Sequence, residues 1–241
     1  MFIPIKDDAP TYRTPYVTIT IIVLNTLIFF FTRGQGYDAF NAITIQFGYI
    51  PFEFTTGYEL TPQLPASTYF TMFSSMFMHG GWMHLIGNML FLWIFGNNIE
   101  DYFGRIKFVL FYLASGIAAI ALFTAFGPNS QVPLVGASGA IAGLMGGYML
   151  LHPKAQITVL IIFIFIQFIH VPAKIVIGIW FALQLFMSLT QNSSGGGVAY
   201  LAHVGGFIFG WLILKLVIKI TGKGGGGGTT PNGQRVYRMQ W

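Results

Sequence analysis

The chain has 241 residues, of which 54% are hydrophobic and only 8% are charged, and its formal net charge is +5. Soluble domains carry about a quarter charged residues, so the composition predicts an integral membrane protein and leaves no room for a large soluble domain. Cysteine is absent, which excludes disulfides and cysteine-based catalytic or metal sites, and no basic stripe with interleaved aromatic residues indicates nucleic-acid binding.

Six apolar runs, bounded by proline, glycine or charged residues, are predicted to be membrane-spanning helices, each of which needs about 20 residues. The first run has no small-residue cleavage site, so we interpret it as a retained helix and not as a signal peptide. The fold class is therefore predicted to be an all-α integral membrane protein with six transmembrane helices. The runs are 16–31, 83–99, 106–126, 136–151, 175–189 and 198–220.

A seventh apolar run, 157–171, is ambiguous. It lies between Pro153 and Pro172, is rich in β-branched residues and Phe, and contains Gln167 and His170 near its end. It is too short and too strand-like to be a good spanning helix. We therefore predict that it lies at the membrane interface.

The positive charges favour one orientation, because Lys and Arg accumulate in short loops on the cytoplasmic side. With six spans and a cytoplasmic N-terminus, Arg33 lies outside and the other eleven of the twelve basic residues lie inside. If 157–171 also spanned, the basic cluster from Lys215 onward would move outside. We predict both termini in the cytoplasm and expect a multi-pass protein of a bacterial inner membrane.

The predicted organisation has a cytoplasmic N-terminal segment over 1–15, a membrane domain over 16–221 and a Gly-rich flexible cytoplasmic tail over 222–241. We interpret the basic tail as solvated, in preference to a specific binding segment. The external loop between the first two spans, 34–69, is long, and loops of that length are usually functional or disordered.

His84 and Asn88 lie four residues apart in the second span, so they share one face of a helix. Polar side chains are costly inside a bilayer and are functional candidates by default. Hydrogen bonding between membrane helices is the alternative interpretation of this pair.

Ser138 and His203 lie near the external ends of the fourth and sixth spans, with His203 about 7 Å below the surface. Alone, Ser138 is compatible with helix packing and His203 with a structural role. Both spans, however, carry small residues at every fourth position, so their backbones can cross closely and bring the two side chains together. These residues are Gly139, Gly143 and Gly147 in the fourth span and Ala202, Gly206 and Gly210 in the sixth.

Together these segments resemble the rhomboid family of intramembrane serine proteases over nearly the whole region 16–220. "MHGGWMHLIGNMLFLW" is similar to the second-helix signature, with His84 and Asn88 at its His-x-x-x-Asn positions and His79 at the preceding loop histidine. "GASG" resembles the nucleophile motif, and "AHVGGFIFG" resembles the last-helix motif. "EDYFGRIKFVLFY" resembles the start of the third helix.

The resemblance implies a six-helix rhomboid bundle and a Ser-His dyad, which agrees with the chemistry of the residues: Ser138 is the expected nucleophile and His203 the general base. Since no carboxylate lies inside the predicted spans, packing must orient His203. His84, Asn88 and the Ser138 N–H are the expected donors to the oxyanion.

Three further residues have supporting roles in this interpretation. Gly136 and Gly139 let the backbone turn sharply and leave room for the scissile carbonyl, and His79 holds the external loop through hydrogen bonds. The implied substrates are other transmembrane proteins in the lipid bilayer, with no metal or organic cofactor and with the oligomeric state undetermined by the sequence.

The sequence departs from the family pattern at three places. Phe70-Thr71 replaces the common Trp-Arg pair of the first external loop, and Val198, beside Gly197, replaces a glycine. Ala142 replaces a tyrosine that packs on the catalytic histidine in many members, so another side chain must hold His203.

Two other functions are compatible with parts of the pattern. Rhomboid-like scaffolds bind membrane clients without cleaving them, but typically lack the serine or the histidine. A transporter would use intramembrane polar residues as a pathway, but the spans show no internal repeat and no carboxylate.

Overall fold

The computed structural model describes residues 2–60, 67–163, 165–190, 199–222, 224, 227–229 and 235–237. Helices make up most of the described chain. The elements, in chain order, are β1 (Phe2–Asp7), α1 (Tyr16–Gly34), α2 (Tyr37–Phe47), α3 (Pro51–Thr56), α4 (Thr68–Ser74) with a 3-10 turn (Ser75–Phe77), α5 (Trp82–Phe103), α6 (Arg105–Phe126), α7 (Ser138–Leu151), β2 (Gln156–Ile162), β3 (Ile166–Pro172), α8 (Ala173–Thr190), α9 (Tyr200–Thr221), β4 (Gly227–Thr229) and β5 (Arg235–Tyr237).

Four helices of the described chain, α1, α6, α8 and α9, are long and apolar enough to cross a membrane. Helix α5 has 22 residues but is less apolar, because it carries His84, Asn88, Glu100 and Asp101. Helix α7 is apolar but has only 14 residues. Large apolar side chains on the outside of these helices remain exposed, as expected for surfaces in contact with lipid. The chain is therefore a multi-pass membrane protein.

Helix α7 is the centre of the bundle and packs against α9, α6 and α5. Glycines of α9 allow its close contact with α7, because a Cβ at Gly206 would overlap the carbonyl oxygen of Gly139, and one at Gly210 would overlap that of Gly143. The predicted close crossing of the two small-residue faces is thus confirmed. The prediction is wrong for Gly147, which contacts side chains of Ile99 and Leu214 and not the α9 backbone. Gly146 lies against the α9 backbone in its place.

The all-α expectation is wrong at one end of the bundle, where β1, β2 and β3 form an antiparallel sheet. The ambiguous run 157–171 forms the β2–β3 hairpin, so the prediction that it is not a spanning helix is confirmed. Strand β1 pairs with β2, with Ile3 opposite Leu160. Because β2 follows the end of α7, this sheet lies at the opposite end from Ser138.

The start of α1 is fixed to the bundle by a carboxylate that the sequence analysis placed outside the spans. Helix α5 extends past residue 99 and includes Glu100 and Asp101, both buried. The Glu100 carboxylate accepts hydrogen bonds from the N–H groups of Val17 and Thr18, at 2.9 and 2.7 Å, and from the Thr18 hydroxyl at 2.8 Å. It therefore caps the start of α1, where helix N–H groups lack internal partners.

The loop between α1 and α5, which is predicted to be external, contains the helices α2 and α3, so its described part is not structureless. Tyr49 in this loop pairs with Leu134 through two backbone hydrogen bonds of 3.0 and 2.7 Å, which ties the loop to the segment before α7. Residues 61–66 lie outside the described residues.

Two predictions at the C-terminal end concern residues that are largely not described. Val198, the expected start of the sixth span, lies outside the described residues, and helix α9 begins at Tyr200. Most of the tail 222–241 also lies outside them. Its described strands, β4 and β5, pair antiparallel.

Candidate active site

Ser138 is the first residue of α7, and the segment before it is held in place by backbone hydrogen bonds. The Gly136 N–H donates to the Ser75 carbonyl at 2.9 Å. Gly136 has φ +122°, a conformation that side-chain-bearing residues rarely adopt, so glycine is required at this turn. Ser138 is therefore fixed at a helix start, where the first backbone N–H groups have no partner within the helix.

His203 lies in the first turn of α9 and contacts Ser138 directly. Its Nε2 atom is 2.8 Å from the Ser138 Oγ, within hydrogen-bond distance. The ring is buried, with 8% of the residue exposed. The close crossing of α7 and α9 at Gly139 and Gly206 is what permits this contact, so the structure brings together the two residues that the sequence paired.

Two residues of α8 hold the His203 ring from its other side. The Gln184 Oε1 is 2.7 Å from His203 Nδ1, and the Trp180 ring centroid is 5.8 Å from that of His203 at an interplanar angle of 33°. They therefore occupy the role left open by Ala142. The sequence analysis missed both, although Gln184 is a polar side chain within an apolar span, which is a signal in itself.

His84, in the first turn of α5, presents a nitrogen to the turn before Ser138. The Gly80 N–H donates to His84 Nδ1 at 3.4 Å. In a neutral imidazole one nitrogen accepts and the other carries the proton, so Nε2 is the donor here. A Cβ at Gly136 would lie 2.6 Å from this Nε2, which shows how closely the ring approaches the turn.

Asn88 lies one turn further along the same face of α5, and its amide nitrogen is buried without a hydrogen-bond partner among the described residues. The residue is 7% exposed, and a Cβ at Gly136 would lie 3.5 Å from its Nδ2. Buried amide groups are almost always paired, because an unpaired one costs about 1–3 kcal/mol. An unpaired donor beside Ser138 is therefore suited to an acceptor that arrives from outside.

A cavity of about 700 Å³ connects these groups. Ser138, His203, His84, Asn88 and Trp180 all line it, with Met145 and the small residues of α6 and α7 on its apolar side. Gly139 lines it too and packs on α6, where a Cβ would lie 2.6 Å from that of Ala119. The serine, the histidine and the Asn88 amide therefore face one shared cavity.

His79 packs beside His84, but within the described chain it does not make the hydrogen bonds that the sequence analysis predicted. The sequence analysis gave it hydrogen bonds to the external loop, whereas both ring nitrogens are buried without a partner of ordinary hydrogen-bond geometry among the described residues. Its ring packs edge-on against His84, with centroids 5.1 Å apart. Burial, together with the nearby His84, lowers the pKa of His79 to about 3, so the ring is neutral. It supports His84 by packing.

Comparison with known proteins identifies the family to which the chain is similar. The family model of the rhomboid domain matches residues 66–220. The chain is 34% identical over 163 residues to Rhomboid protein 1, mitochondrial, of Saccharomyces cerevisiae, which covers 62% of this chain and 43% of that protein. It is 36% identical over 142 residues to RHOMBOID-like protein 4 of Arabidopsis thaliana, over 59% of this chain and 32% of the relative.

A bacterial relative is named as a protease. The chain is 28% identical over 146 residues to Rhomboid protease GluP of Bacillus subtilis, over 60% of this chain and 26% of that protein. In each of these three comparisons the match covers less than half of the relative's length.

Proposed function

This chain belongs to the rhomboid family, and from that premise and the geometry of the site we propose that it is an intramembrane serine endopeptidase. The observation that carries the proposal is the 2.8 Å distance between Ser138 Oγ and His203 Nε2, next to the unpaired amide of Asn88. The proposed substrates are other transmembrane proteins, cut in or near their spans.

In the first step, Ser138 Oγ attacks the scissile carbonyl while His203 Nε2 takes its proton. The carbonyl oxygen becomes an oxyanion that accepts hydrogen bonds from the Asn88 amide, from His84 Nε2–H and from the Ser138 backbone N–H. One strong oxyanion donor contributes about 3–4 kcal/mol to transition-state stabilisation in other serine proteases.

His203 then gives its proton to the leaving amine, and an acyl-enzyme on Ser138 remains. Water attacks this ester with His203 again as the base, which releases the new carboxylate and restores the serine. No metal or cofactor takes part in these steps. Gly136 and Gly139 have the supporting role of leaving room for the substrate backbone next to the nucleophile.

The substrate helix must unwind locally before its peptide bond can reach Ser138, because backbone groups in a helix are already hydrogen-bonded. The cavity is lined by small and apolar residues together with the polar side chains of Ser138, His203, His84 and Asn88. We therefore propose substrates whose spans contain small or helix-breaking residues near the membrane surface.

For the topology, we propose that α1, α5, α6, α7, α8 and α9 are six spans of a membrane domain over 16–221, that the loop between α1 and α5 is external, and that the N-terminal segment and tail 222–241 are cytoplasmic. The eleven basic residues assigned to one side support this orientation. Since the relatives include a mitochondrial yeast protein, plant proteins and a bacterial protein, placement in a bacterial inner membrane stays a prediction.

The alternative is a rhomboid-like scaffold that binds membrane clients and cuts nothing, and several relatives carry the name rhomboid-like. The direct test uses the purified chain and a transmembrane reporter substrate reconstituted together in liposomes, with products resolved on gels. We expect cleavage by the wild type and by Ser188→Ala, a control serine on the outer part of α8, and none by Ser138→Ala. Cleavage that Ser138→Ala retains would refute the proposal.

A further inference from the structure

We propose that Gln184 is the positioning residue for His203: its side-chain oxygen holds Nδ1–H and so keeps the lone pair of Nε2 directed at Ser138. This inference rests on the proposed function and extends it to a residue on a third helix. The arrangement is a line of three side chains, Ser138, His203 and Gln184, contributed by α7, α9 and α8.

The distances define this line. His203 Nε2 is 2.8 Å from Ser138 Oγ, and His203 Nδ1 is 2.7 Å from Gln184 Oε1. Both nitrogens of the ring are therefore engaged at short hydrogen-bond distances. Because only 8% of the residue is exposed, water has little access to compete for either nitrogen.

The chemistry of a neutral imidazole then fixes what each partner must do. One ring nitrogen carries a proton and the other presents a lone pair. A base for the serine hydroxyl needs the lone pair on Nε2, so the proton must be on Nδ1 and must have an acceptor. The Gln184 carbonyl oxygen is such an acceptor, and it selects the tautomer that can take the serine proton.

The opposite orientation of the glutamine amide gives the wrong chemistry. If the NH₂ group faced His203, it would donate to Nδ1 and leave the proton on Nε2. The serine hydroxyl would then accept from the ring and could not be deprotonated by it. The oxygen at 2.7 Å from Nδ1 is the orientation compatible with a base.

A glutamine is a physically reasonable replacement for the aspartate of soluble serine proteases in this setting. A carboxylate buried between membrane helices carries a large desolvation cost. The neutral amide avoids that cost and still accepts a hydrogen bond from the imidazolium that forms during the reaction. The described acidic side chains of α5, Glu100 and Asp101, begin twelve residues past Asn88, about 18 Å along the helix. Asp101 accepts from the Tyr12 N–H, and Glu100 accepts from the start of α1.

Neighbouring aromatic contacts hold α8 in the position that places Gln184 against His203. Trp180 is four residues earlier, so it shares the face of α8 that meets His203. Phe181 stacks on Phe207 of α9 with centroids 4.3 Å apart. These aromatic contacts fix α8 against α9 beside the glutamine. Of the described α8 residues, Trp180 lines the cavity. Gln184 does not line it and contacts the far side of the His203 ring.

The test compares Gln184→Leu, which removes the acceptor at similar size, with Gln184→Glu, which keeps an oxygen. Ser188→Ala, one turn further along α8, is the matched control. For Gln184→Leu we expect kcat on the transmembrane reporter to fall on the order of 100-fold, with KM within about twofold. Replacement of a carboxylate partner in a soluble triad costs about 10⁴-fold, so a smaller effect is expected for a neutral one. Gln184→Glu should recover part of the lost kcat, because its carboxyl oxygen again accepts from Nδ1–H, while the desolvation cost of the carboxylate keeps it below the wild type.

A second readout is independent of substrate. Nitrogen NMR of histidine-labelled protein in micelles reports which ring nitrogen carries the proton, and the His203 signals are identified by their loss in His203→Ala. The wild type should show the proton on Nδ1, and Gln184→Leu should shift the population toward Nε2. Because this measurement needs no cleavage, it tests the role of Gln184 even if the chain proves not to be a protease.

The outcomes separate clearly. A Gln184→Leu variant that keeps the wild-type tautomer, or one that keeps the wild-type kcat despite a changed tautomer, would overturn the proposal. If the tautomer is unchanged and activity is lost, the role of Gln184 is packing, which also overturns it. Loss in Gln184→Leu with recovery in Gln184→Glu and a changed tautomer would establish it.

Discussion

The substitution Gly206→Ala adds one methyl group and tests whether the crossing of α7 and α9 sets the geometry of the site. A Cβ at this position would overlap the carbonyl oxygen of Gly139 and lie 3.0 Å from its carbonyl carbon. Both atoms belong to backbone, so no side-chain rotation can relieve the overlap. Since carbon contacts are favourable near 3.5–4.0 Å, the two helices must part by about 1 Å.

The expected magnitude follows from where this separation occurs. Gly139 is next to Ser138, and Gly206 is one turn from His203, so the displacement is transmitted to the 2.8 Å contact between Oγ and Nε2. A misplacement of about 1 Å costs about 100-fold in rate, or roughly 2.7 kcal/mol in the barrier. Overpacking itself costs about 1–3 kcal/mol in the free energy of unfolding.

The assay is cleavage of the reporter in liposomes by Gly206→Ala, with thermal unfolding measured on the same preparations. Gly178→Ala on α8 is the matched control, because a Cβ there has no neighbouring atom within 4 Å. We expect a loss of about 100-fold in kcat for Gly206→Ala and no loss for Gly178→Ala. If the two variants have the same rate and the same unfolding temperature, the helix contact does not position the dyad.

Three other predictions address separate parts of the account. Asn88→Ala should lower kcat by about 10²–10³-fold with little change in KM, because its unpaired amide is proposed to bind only the oxyanion; steady-state kinetics that match the wild type would assign Asn88 to helix packing. Glu100→Gln should lower the free energy of unfolding by roughly 1–3 kcal/mol, since the charged cap on Val17 and Thr18 is lost; an unchanged unfolding midpoint would contradict this role. Tags at both termini should be protease-protected in intact cells and accessible after lysis; a C-terminal tag accessible from outside would refute the six-span topology.

The sequence predicted which of these side chains come together because its signals are local and periodic. His84 and Asn88 are four residues apart, and the small residues near Ser138 and His203 repeat at helical spacing. Such spacing fixes which side chains share a face and which helices can approach closely. The close crossing of α7 and α9 could therefore be inferred without a structure.

Other features depend on contacts that no local pattern specifies. Strand β1 pairs with β2 about 150 residues later, and nothing in its six residues indicates that partner. The capping of α1 by Glu100 depends on where α5 ends, and helix ends are the least certain part of a sequence-based prediction. Gln184 was visible as a polar residue in an apolar run, but its contact with His203 depends on the rotation of α8, which packing sets.

The central claim is that Ser138 and His203 act as one catalytic unit, and covalent labelling by a serine-directed fluorophosphonate tests it most directly. In the wild type, mass spectrometry should locate the label on Ser138, and His203→Ala should suppress it because an unassisted hydroxyl is a weak nucleophile. Ser138→Ala, His203→Ala and the double variant should fall to nearly the same residual activity, since the two residues work together. A folded wild type that is never labelled at Ser138 and never cleaves a transmembrane substrate would contradict the claim.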